Sequence, residues 1–202
     1  MQAVVFLQHL DMKKLVFATN NEHKLSEVRA ILEPEFKIIS LAELNCNDDI
    51  PETAETLQGN ALIKAQYIHS KFGLDCFADD TGLEVNALGG EPGVYSARYA
   101  GDDNCAHQNM CKVLEKLGDN PDRSACFRTV IALIQDNKTS YFEGKIVGSI
   151  ATKPRGESGF GYDPIFVPEG YIVSFAQLSA KEKNQISHRA QAIKKLVGHL
   201  QD

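Results

Sequence analysis

Two neighbouring carboxylates, Asp79 and Asp80, stand in the segment ADDTGLEV between two apolar stretches. Adjacent carboxylates repel each other unless a cation or another partner lies beside them. Oxygen ligands of this kind suit Mg²⁺, which takes one or two carboxylates together with substrate phosphates and water. One carboxylate could bind the metal while the other accepts a proton from an attacking water. The alternative is a plain surface turn at D-D-T-G, which these residues alone leave open.

A second polar segment, FATNNEHK, joins an apolar run to the start of a helical pattern. The first turn of a helix offers unpaired backbone N–H groups to an anion, and the helix dipole attracts negative charge. Lys24 opposes that dipole unless a phosphate neutralises it, while Thr19, Asn20 and Asn21 can supply further donors. The pattern favours a phosphate-binding turn that is not a Walker A loop. An Asn N-cap followed by a solvated lysine is the alternative.

Two later segments carry groups that suit a nucleobase. In SGFGYDP, glycines let a ligand approach the backbone, and Phe160 and Tyr162 offer aromatic faces for stacking. The alternative is a glycine-rich turn with its aromatics in the core. In EKNQISHRA, Lys183, His188 and Arg189 place three donors near the start of the last helix, and Arg and His suit a purine carbonyl or a phosphate.

Alternating strand and helix patterns must position these segments. Apolar periodicity predicts helices over Glu22 to Leu32, Thr56 to Phe72, Asp103 to Leu117 and about Asn184 to Leu200. Strands are predicted at KKLVFAT, FKIISL and PIFVP, with CFAD and LEV on either side of a turn at DDTG. A long hairpin is predicted to turn at Asn137-Lys138. The pattern indicates a mixed α/β protein whose sheet is long enough for two lobes and a cleft.

Composition excludes several other classes of protein. The chain has 202 residues, a net charge of −6 and a pI near 5.5, which argues against a nucleic-acid-binding surface. No apolar run approaches the roughly 20 residues of a membrane span. The five cysteines have no C-x-x-C spacing, which predicts free thiols in a reducing cytoplasm. We expect residues 1 to 11 to be an N-terminal extension, with residues 12 to 202 forming one two-lobed catalytic domain.

In their order and spacing, the polar segments resemble the inosine triphosphate pyrophosphatase family, also called dITP/XTP pyrophosphatases. The matching segments are FATNNEHKLSEVRAIL, NALIKA, ADDTGLEVNALGGEPGVYSARYAG, SGFGYDPIF and EKNQISHRA. The resemblance implies a long mixed sheet flanked by helices, two lobes with the nucleotide between them, and a homodimer. It also implies Mg²⁺-dependent hydrolysis of ITP, dITP and XTP to the monophosphate and pyrophosphate.

The resemblance also implies roles for individual residues. Asp80 becomes the proton acceptor and a metal ligand, with Asp79 and Lys24 beside it in catalysis and Glu52 as a second metal carboxylate. The remaining positions bind substrate: Thr19, Asn20, Asn21, Glu22, His23, Lys24 and Lys64 on the phosphate side, Thr81, and Phe160, Gly161, Tyr162, Asp163, Lys183, His188 and Arg189 on the base and sugar side. Gly59 departs from the family, which usually has a glutamate there.

Two other functions fit the same segments. A nucleotide-binding regulator would keep the cleft without turnover, although a pure binder gains little from an acid pair beside phosphates. A pyrophosphatase of broader specificity, or one acting on modified pyrimidine nucleotides, would share the catalytic groups and differ at the base. An interaction protein in which every segment is only a turn or a cap would require four coincidences in order.

Overall fold

The computed structural model describes residues 13–33, 35–101 and 103–201, and within them seven strands form one mixed sheet flanked by helices. The strands are β1 Lys13–Phe17, β2 Phe36–Ile39, β3 Cys76–Val85, β4 Pro92–Gly93, β5 Ser124–Gln135, β6 Lys138–Ile150 and β7 Phe166–Pro168. The helices are α1 Glu22–Leu32, α2 Leu57–Phe72, α3 Ala106–Leu117, α4 Ala180–Ile186 and α5 His188–Gln201. The predicted extension at residues 1 to 11 lies outside the described residues.

The sheet runs in the order β2-β1-β3-β5-β6-β7, with β4 paired to β3. β1 is parallel to both β2 and β3, whereas the pairs β3–β4, β3–β5, β5–β6 and β6–β7 are antiparallel. The expected mixed α/β class is therefore confirmed. β3 lies inside this order, and its polar segment, residues 79–82, pairs with β5 on one edge, whereas β1 pairs only with the preceding Cys76 and Phe77.

Helix termini follow from local hydrogen bonding. α1 begins after Asn21, whose side chain accepts a hydrogen bond from the backbone N–H of Lys24 at 3.0 Å. α2 begins after Thr56, whose hydroxyl accepts from the N–H of Gly59, and it ends at Gly73 with φ of 65°. That backbone conformation carries no steric penalty for glycine, so the predicted stop signal is confirmed.

Three buried clusters hold the helices on the sheet. Helices α1 and α5 pack on the face that carries Phe17, Phe77 and Leu133. Helix α2 packs on the face that carries Ala78 and Ala132, and successive strand residues point to opposite faces. Helix α3 covers a third cluster towards the far ends of β3 and β5. The groups of β3 that follow Ala78 therefore lie between α2 on one face and α1 with α5 on the other.

The structure corrects three of the local predictions. The predicted turn at DDTG is wrong, because β3 continues without a break and Asp79 and Asp80 stand opposite Ile131 and Val130 of β5. The third predicted helix begins at Ala106 instead of Asp103. The last predicted helix is two helices, since Ser187 has an extended backbone with ψ of 155° that separates α4 from α5.

The strand hairpin and the cysteines agree more closely with expectation. β5 and β6 form the predicted long hairpin, but its turn is Asp136-Asn137, one residue before the predicted Asn137-Lys138. All five cysteines are free, as predicted. Among the described residues, we find no helix with both the length and the apolar character needed to cross a bilayer.

Candidate active site

Asp79 and Asp80 point to opposite faces of the sheet because they are consecutive residues of one strand. Asp79 faces α1 and α5, where it contacts Lys24 and Arg189. Asp80 faces α2, where it contacts Asn60 and lies near Lys64. The neighbouring carboxylates therefore do not share one cation, and each has its own set of partners.

Asp79 is held in buried ion pairs. Its carboxylate accepts hydrogen bonds from Lys24 Nζ at 2.9 Å and from Arg189 Nε at 3.0 Å, and only 1% of its side chain is exposed. Burial opposes ionisation, but the charges of Lys24 and Arg189 outweigh it and hold the pKa of Asp79 well below its ordinary value. Asp79 is thus a fixed anion that orients two cations.

Asp80 has a different electrostatic environment. The side-chain amide of Asn60 donates to Asp80 Oδ2 at 3.3 Å, and Lys64 Nζ lies 3.6 Å from Oδ1. Burial raises the pKa of Asp80, and Lys64 offsets that effect only in part. A carboxylate with a raised pKa is a stronger base than an ordinary aspartate, which suits a group that accepts a proton.

Lys64 brings Asp80 and Glu52 together. Its ammonium donates to Glu52 Oε1 and also lies near Asp80 Oδ1, so both carboxylates have an oxygen within reach of one cation. Burial would raise the pKa of Glu52, but the Lys64 charge outweighs it and lowers that pKa. Glu52 belongs to the segment before α2, which we call the carboxylate loop, residues 46–55.

This donor set fits a magnesium ion. Two carboxylates that converge on a common cation match the one or two that Mg²⁺ takes from protein when phosphates and water supply the rest. Among the residues described, no group of three or more His, Cys, Asp and Glu side chains could form a protein-only metal site.

Gly59, the position that departs from the family, is closely packed. A Cβ atom there would lie 2.5 Å from Ala54 Cβ.

The turn before α1 is ordered by its own side chains. Thr19 Oγ1 accepts from the N–H of Asn21, and the Asn20 side chain donates to the carbonyl of Asp48 in the carboxylate loop at 3.2 Å. Asn21 caps α1, which agrees with the simpler of the two interpretations of this segment. Lys24, however, is not a solvated lysine, because it is paired with Asp79 and lines the cavity described below.

The SGFGYDP segment lies against the first turn of α1. The Phe160 ring stacks on His23 with centroids 5.2 Å apart, and Lys183 Nζ lies 4.8 Å from its centroid. Asp163 accepts hydrogen bonds from the N–H of Phe160 and from Lys183. Tyr162 is buried and donates to the carbonyl of Ser96 at 2.7 Å, as the core alternative predicts for that aromatic.

His188 and Arg189 begin α5 and are both buried. Arg189 pairs with Asp79 and Glu27 and donates to Thr81 Oγ1 at 3.2 Å. Burial holds the pKa of His188 well below its ordinary value, so its imidazole is neutral. Its Nδ1 atom is buried and has no hydrogen-bond partner among the described residues.

One cavity of about 710 Å³ joins these groups. It is lined by most of the predicted site residues, namely Thr19, Asn20, Asn21, His23, Lys24, Glu52, Lys64, Asp80, Thr81, Phe160, Gly161, Tyr162, Asp163, Lys183, His188 and Arg189. Asp79 and Glu22 are the two predicted residues outside this lining. Asp79 lies behind Lys24 and Arg189, whereas Glu22 is exposed on the first turn of α1.

The structure also brings in residues that the sequence did not single out. Glu27 pairs with both Lys183 and Arg189, and Asn60 links Asp80 to the N–H of Ala54 in the carboxylate loop. Arg98 lines the cavity and contacts Glu52. Helical spacing could have indicated two of them. Glu27 is three residues after Lys24 and Asn60 is four before Lys64, and residues at these spacings lie on the same face of a helix.

Comparison with known proteins gives consistent matches over nearly the whole chain. The sequence model of the Ham1 family matches residues 15–199. A dITP/XTP pyrophosphatase of Porphyromonas gingivalis is 60% identical over 186 residues, covering 92% of this chain and 96% of the relative. A dITP/XTP pyrophosphatase of Bacillus licheniformis is 46% identical over 189 residues, covering 92% and 96%.

Solved structures match equally well. The structure of the Staphylococcus aureus Ham1 protein has a TM-score of 0.84 and 43% identity, covering 94% of this chain and 98% of that one. A Ham1 protein from Coxiella burnetii has a TM-score of 0.85 and 42% identity, covering 94% and 99%. The chain is therefore similar to known proteins in both sequence and fold over more than 90% of its length.

Proposed function

This chain belongs to the Ham1 family, and from that membership we propose that it hydrolyses the non-standard purine nucleotides dITP, ITP and XTP to the monophosphate and pyrophosphate. The resemblance noted in the sequence agrees with the family match. The observation that carries the proposal is the single cavity that holds Lys24, Lys64 and Asp80 together with the buried imidazole of His188. Such a cavity offers cations and a base to the phosphates and polar groups to the purine.

The phosphate end is built to hold anionic groups in fixed positions. Lys24 is oriented by Asp79 and Lys64 by Glu52, so their charges are in place before substrate binds. Preorganised charges of this kind stabilise a phosphoryl transition state without further rearrangement. The N–H groups at the start of α1 add donors for an anion. We assign the triphosphate to this end of the cavity.

Asp80 is the proposed proton acceptor. It takes a proton from the attacking water while the water oxygen bonds to phosphorus and the anhydride bond between the α- and β-phosphates breaks. Asn60 holds the carboxylate in position, and burial keeps it a stronger base than an exposed aspartate. Asp80 and Glu52 would hold Mg²⁺, which when bound neutralises charge on the phosphates.

The other end of the cavity is assigned to the purine. A neutral His188 with an unpartnered Nδ1 atom can donate one hydrogen bond to a carbonyl oxygen when that nitrogen carries the proton. A donor aimed at the 6-carbonyl of hypoxanthine or xanthine stays unpaired against the 6-amino group of adenine. A buried donor that stays unpaired gives strong discrimination. Phe160 supplies an aromatic face at the same end.

Two further properties are proposed from the family. We propose that the protein works as a homodimer and that it acts in the cytoplasm, where free thiols such as its five cysteines stay reduced. Sedimentation of the purified protein tests the first point, because a monomer at micromolar concentration would contradict it.

The function is tested by incubating the purified protein with Mg²⁺ and, separately, ITP, dITP, XTP, GTP or ATP, and by measuring pyrophosphate release. We expect rapid release from ITP, dITP and XTP and slow release from GTP and ATP. Asp80→Asn is the matched variant and should lose the activity. Equal turnover of all five nucleotides would favour a broader pyrophosphatase, and tight ITP binding without turnover would favour a regulator.

A further inference from the structure

Arg98 is a cavity-lining cation with no role in the proposed reaction so far. It ends a short 3₁₀ turn, Ser96–Arg98, in the segment GGEPGVYSARYAG. Its Nη2 donates to the backbone carbonyl of Glu52 at 3.1 Å, and its Nη1 lies 3.6 Å from Glu52 Oε2. One guanidinium therefore contacts both the main chain and the side chain of a residue 46 positions away.

The turn that carries Arg98 is firmly held. Ser96 is buried, its hydroxyl donates to the carbonyl of Gly93 at 2.6 Å and accepts from the N–H of Leu83, and its own carbonyl accepts from Tyr162. The Arg98 guanidinium also lies 5.3 Å from the centroid of the Tyr95 ring. Ser96 thus anchors the turn, and Arg98 extends from this anchored turn to the carboxylate loop.

Glu52 has two cationic partners that approach different oxygens. Lys64 contacts Oε1 and Arg98 contacts Oε2 and the backbone carbonyl. Lys64 is also near Asp80, so its contact with Glu52 is the one that would be lost when phosphates attract the ammonium or a metal replaces it. The contacts from Arg98 include the main chain and do not depend on the Lys64 ammonium.

We infer that Arg98 is the positioning residue for Glu52 and keeps the carboxylate loop in its catalytic geometry when nucleotide engages Lys64. This inference rests on the proposed function. Arg98 acts through Glu52 and does not bind the nucleotide itself. Removing a contact that orients a metal-binding side chain typically costs about 10–100-fold in activity.

The test compares Arg98→Met, which keeps the aliphatic stem, with Arg98→Lys and with the matched control Arg128→Met. Arg128 is half-exposed on β5, pairs with Glu84 and Glu143, and does not line the cavity. The first readout is kcat and KM for ITP with Mg²⁺. The second is the Kd for ITP in EDTA, measured by titration calorimetry, in which no turnover occurs.

We expect Arg98→Met to lower kcat by about 10–100-fold while KM and the metal-free Kd change little. Arg98→Lys should recover part of kcat because it keeps the charge but loses the second contact, and Arg128→Met should match the parent protein. In a Glu52→Gln background, Arg98→Met should cost much less than in the parent, since coupled residues are not additive.

Three results would overturn the inference. A metal-free Kd that weakens together with activity would make Arg98 a direct nucleotide contact. Additive losses in the Glu52→Gln background would separate Arg98 from Glu52, and an unchanged kcat would remove its role altogether. Failure of the proposed function would show in the parent protein, which would release no pyrophosphate from ITP, dITP or XTP. Failure of the inference alone would show only in the variants, with the parent protein active.

Discussion

Replacing each of the two adjacent aspartates should separate stability from activity. In Asp79→Asn, Lys24 and Arg189 would lose a charge partner at 2.9 and 3.0 Å in a place where the Asp79 side chain is 1% exposed. Breaking a buried ion pair costs about 3–5 kcal/mol. Arg189 keeps Glu27 as a second partner, so we expect the lower figure, about 3 kcal/mol of unfolding free energy. For a chain of this length that lowers Tm by roughly 6–12 °C.

Asp80→Asn should lose activity without losing stability. Burial raises the pKa of Asp80, which means that the folded protein disfavours its charged form. An asparagine removes that unfavourable charge and can still accept the hydrogen bond from Asn60, while Lys64 keeps its ion pair with Glu52. We expect Tm to stay at or above that of the parent protein, while pyrophosphate release from ITP falls by about 100-fold or more.

Acid should narrow the stability difference between the parent and Asp79→Asn. The folded pKa of Asp79 is lowered, so its ion pairs stabilise the fold above the unfolded pKa of about 3.9 and lose effect as the pH falls below it. The measurement is urea unfolding of the parent and of Asp79→Asn at pH 7 and pH 3, with the exposed Asp119→Asn as control. Equal destabilisation by the two substitutions at pH 7, or a stable Asp79→Asn, would refute the reasoning.

Three other outcomes follow from the same contacts. Gly144→Ala should lower stability by about 1–3 kcal/mol, since the added Cβ would lie 2.0 Å from the carbonyl of His188; Gly198→Ala, with no atom within 4 Å, is the control. Removing Mg²⁺ with EDTA should stop pyrophosphate release and leave Tm unchanged, because no cluster of three metal ligands occurs in the described part of the chain; a lowered Tm would indicate a structural metal. Since a general base must be ionised, kcat/KM for ITP should fall with acid as Asp80 becomes protonated, and an activity unaffected by acid wherever the protein stays folded would contradict this.

Local signals predicted the helices where a cap and an apolar stripe coincide. α1 has the predicted bounds because Asn21 caps it, and α2 ends at Gly73 as expected. The D-D-T-G segment misled the same reasoning, since four polar or small residues are typical of a turn. Here they continue a buried strand, because long-range ion pairs and the pairing with β5 satisfy their polar groups. Nothing local to the segment specifies those partners.

Most of the predicted site residues do meet in one cavity, but their pairings could not be predicted. Lys24 has the spacing of a helix-terminal lysine, and its partner Asp79 is 55 residues away. Glu27 resembles an ordinary residue on a helix surface, and its partners lie more than 150 residues further along the chain. The sequence shows which charged residues each element carries. Which of them pair with each other depends on how α1, α5 and β3 pack together in the fold.

The arrangement of charge explains why the proposed reaction should depend on a divalent cation. A chain of alternating charges runs through the site from the base end to the phosphate end: Asp163, Lys183, Glu27, Arg189, Asp79 and Lys24. Beside it, Lys64 and Arg98 are matched by Glu52 and Asp80. Each cation is therefore already neutralised by a carboxylate, and the site offers little net positive charge to a triphosphate. Mg²⁺ bound by Glu52 and Asp80 would supply the missing charge, so ITP should bind more weakly in EDTA than with Mg²⁺, and equal affinities would contradict this account.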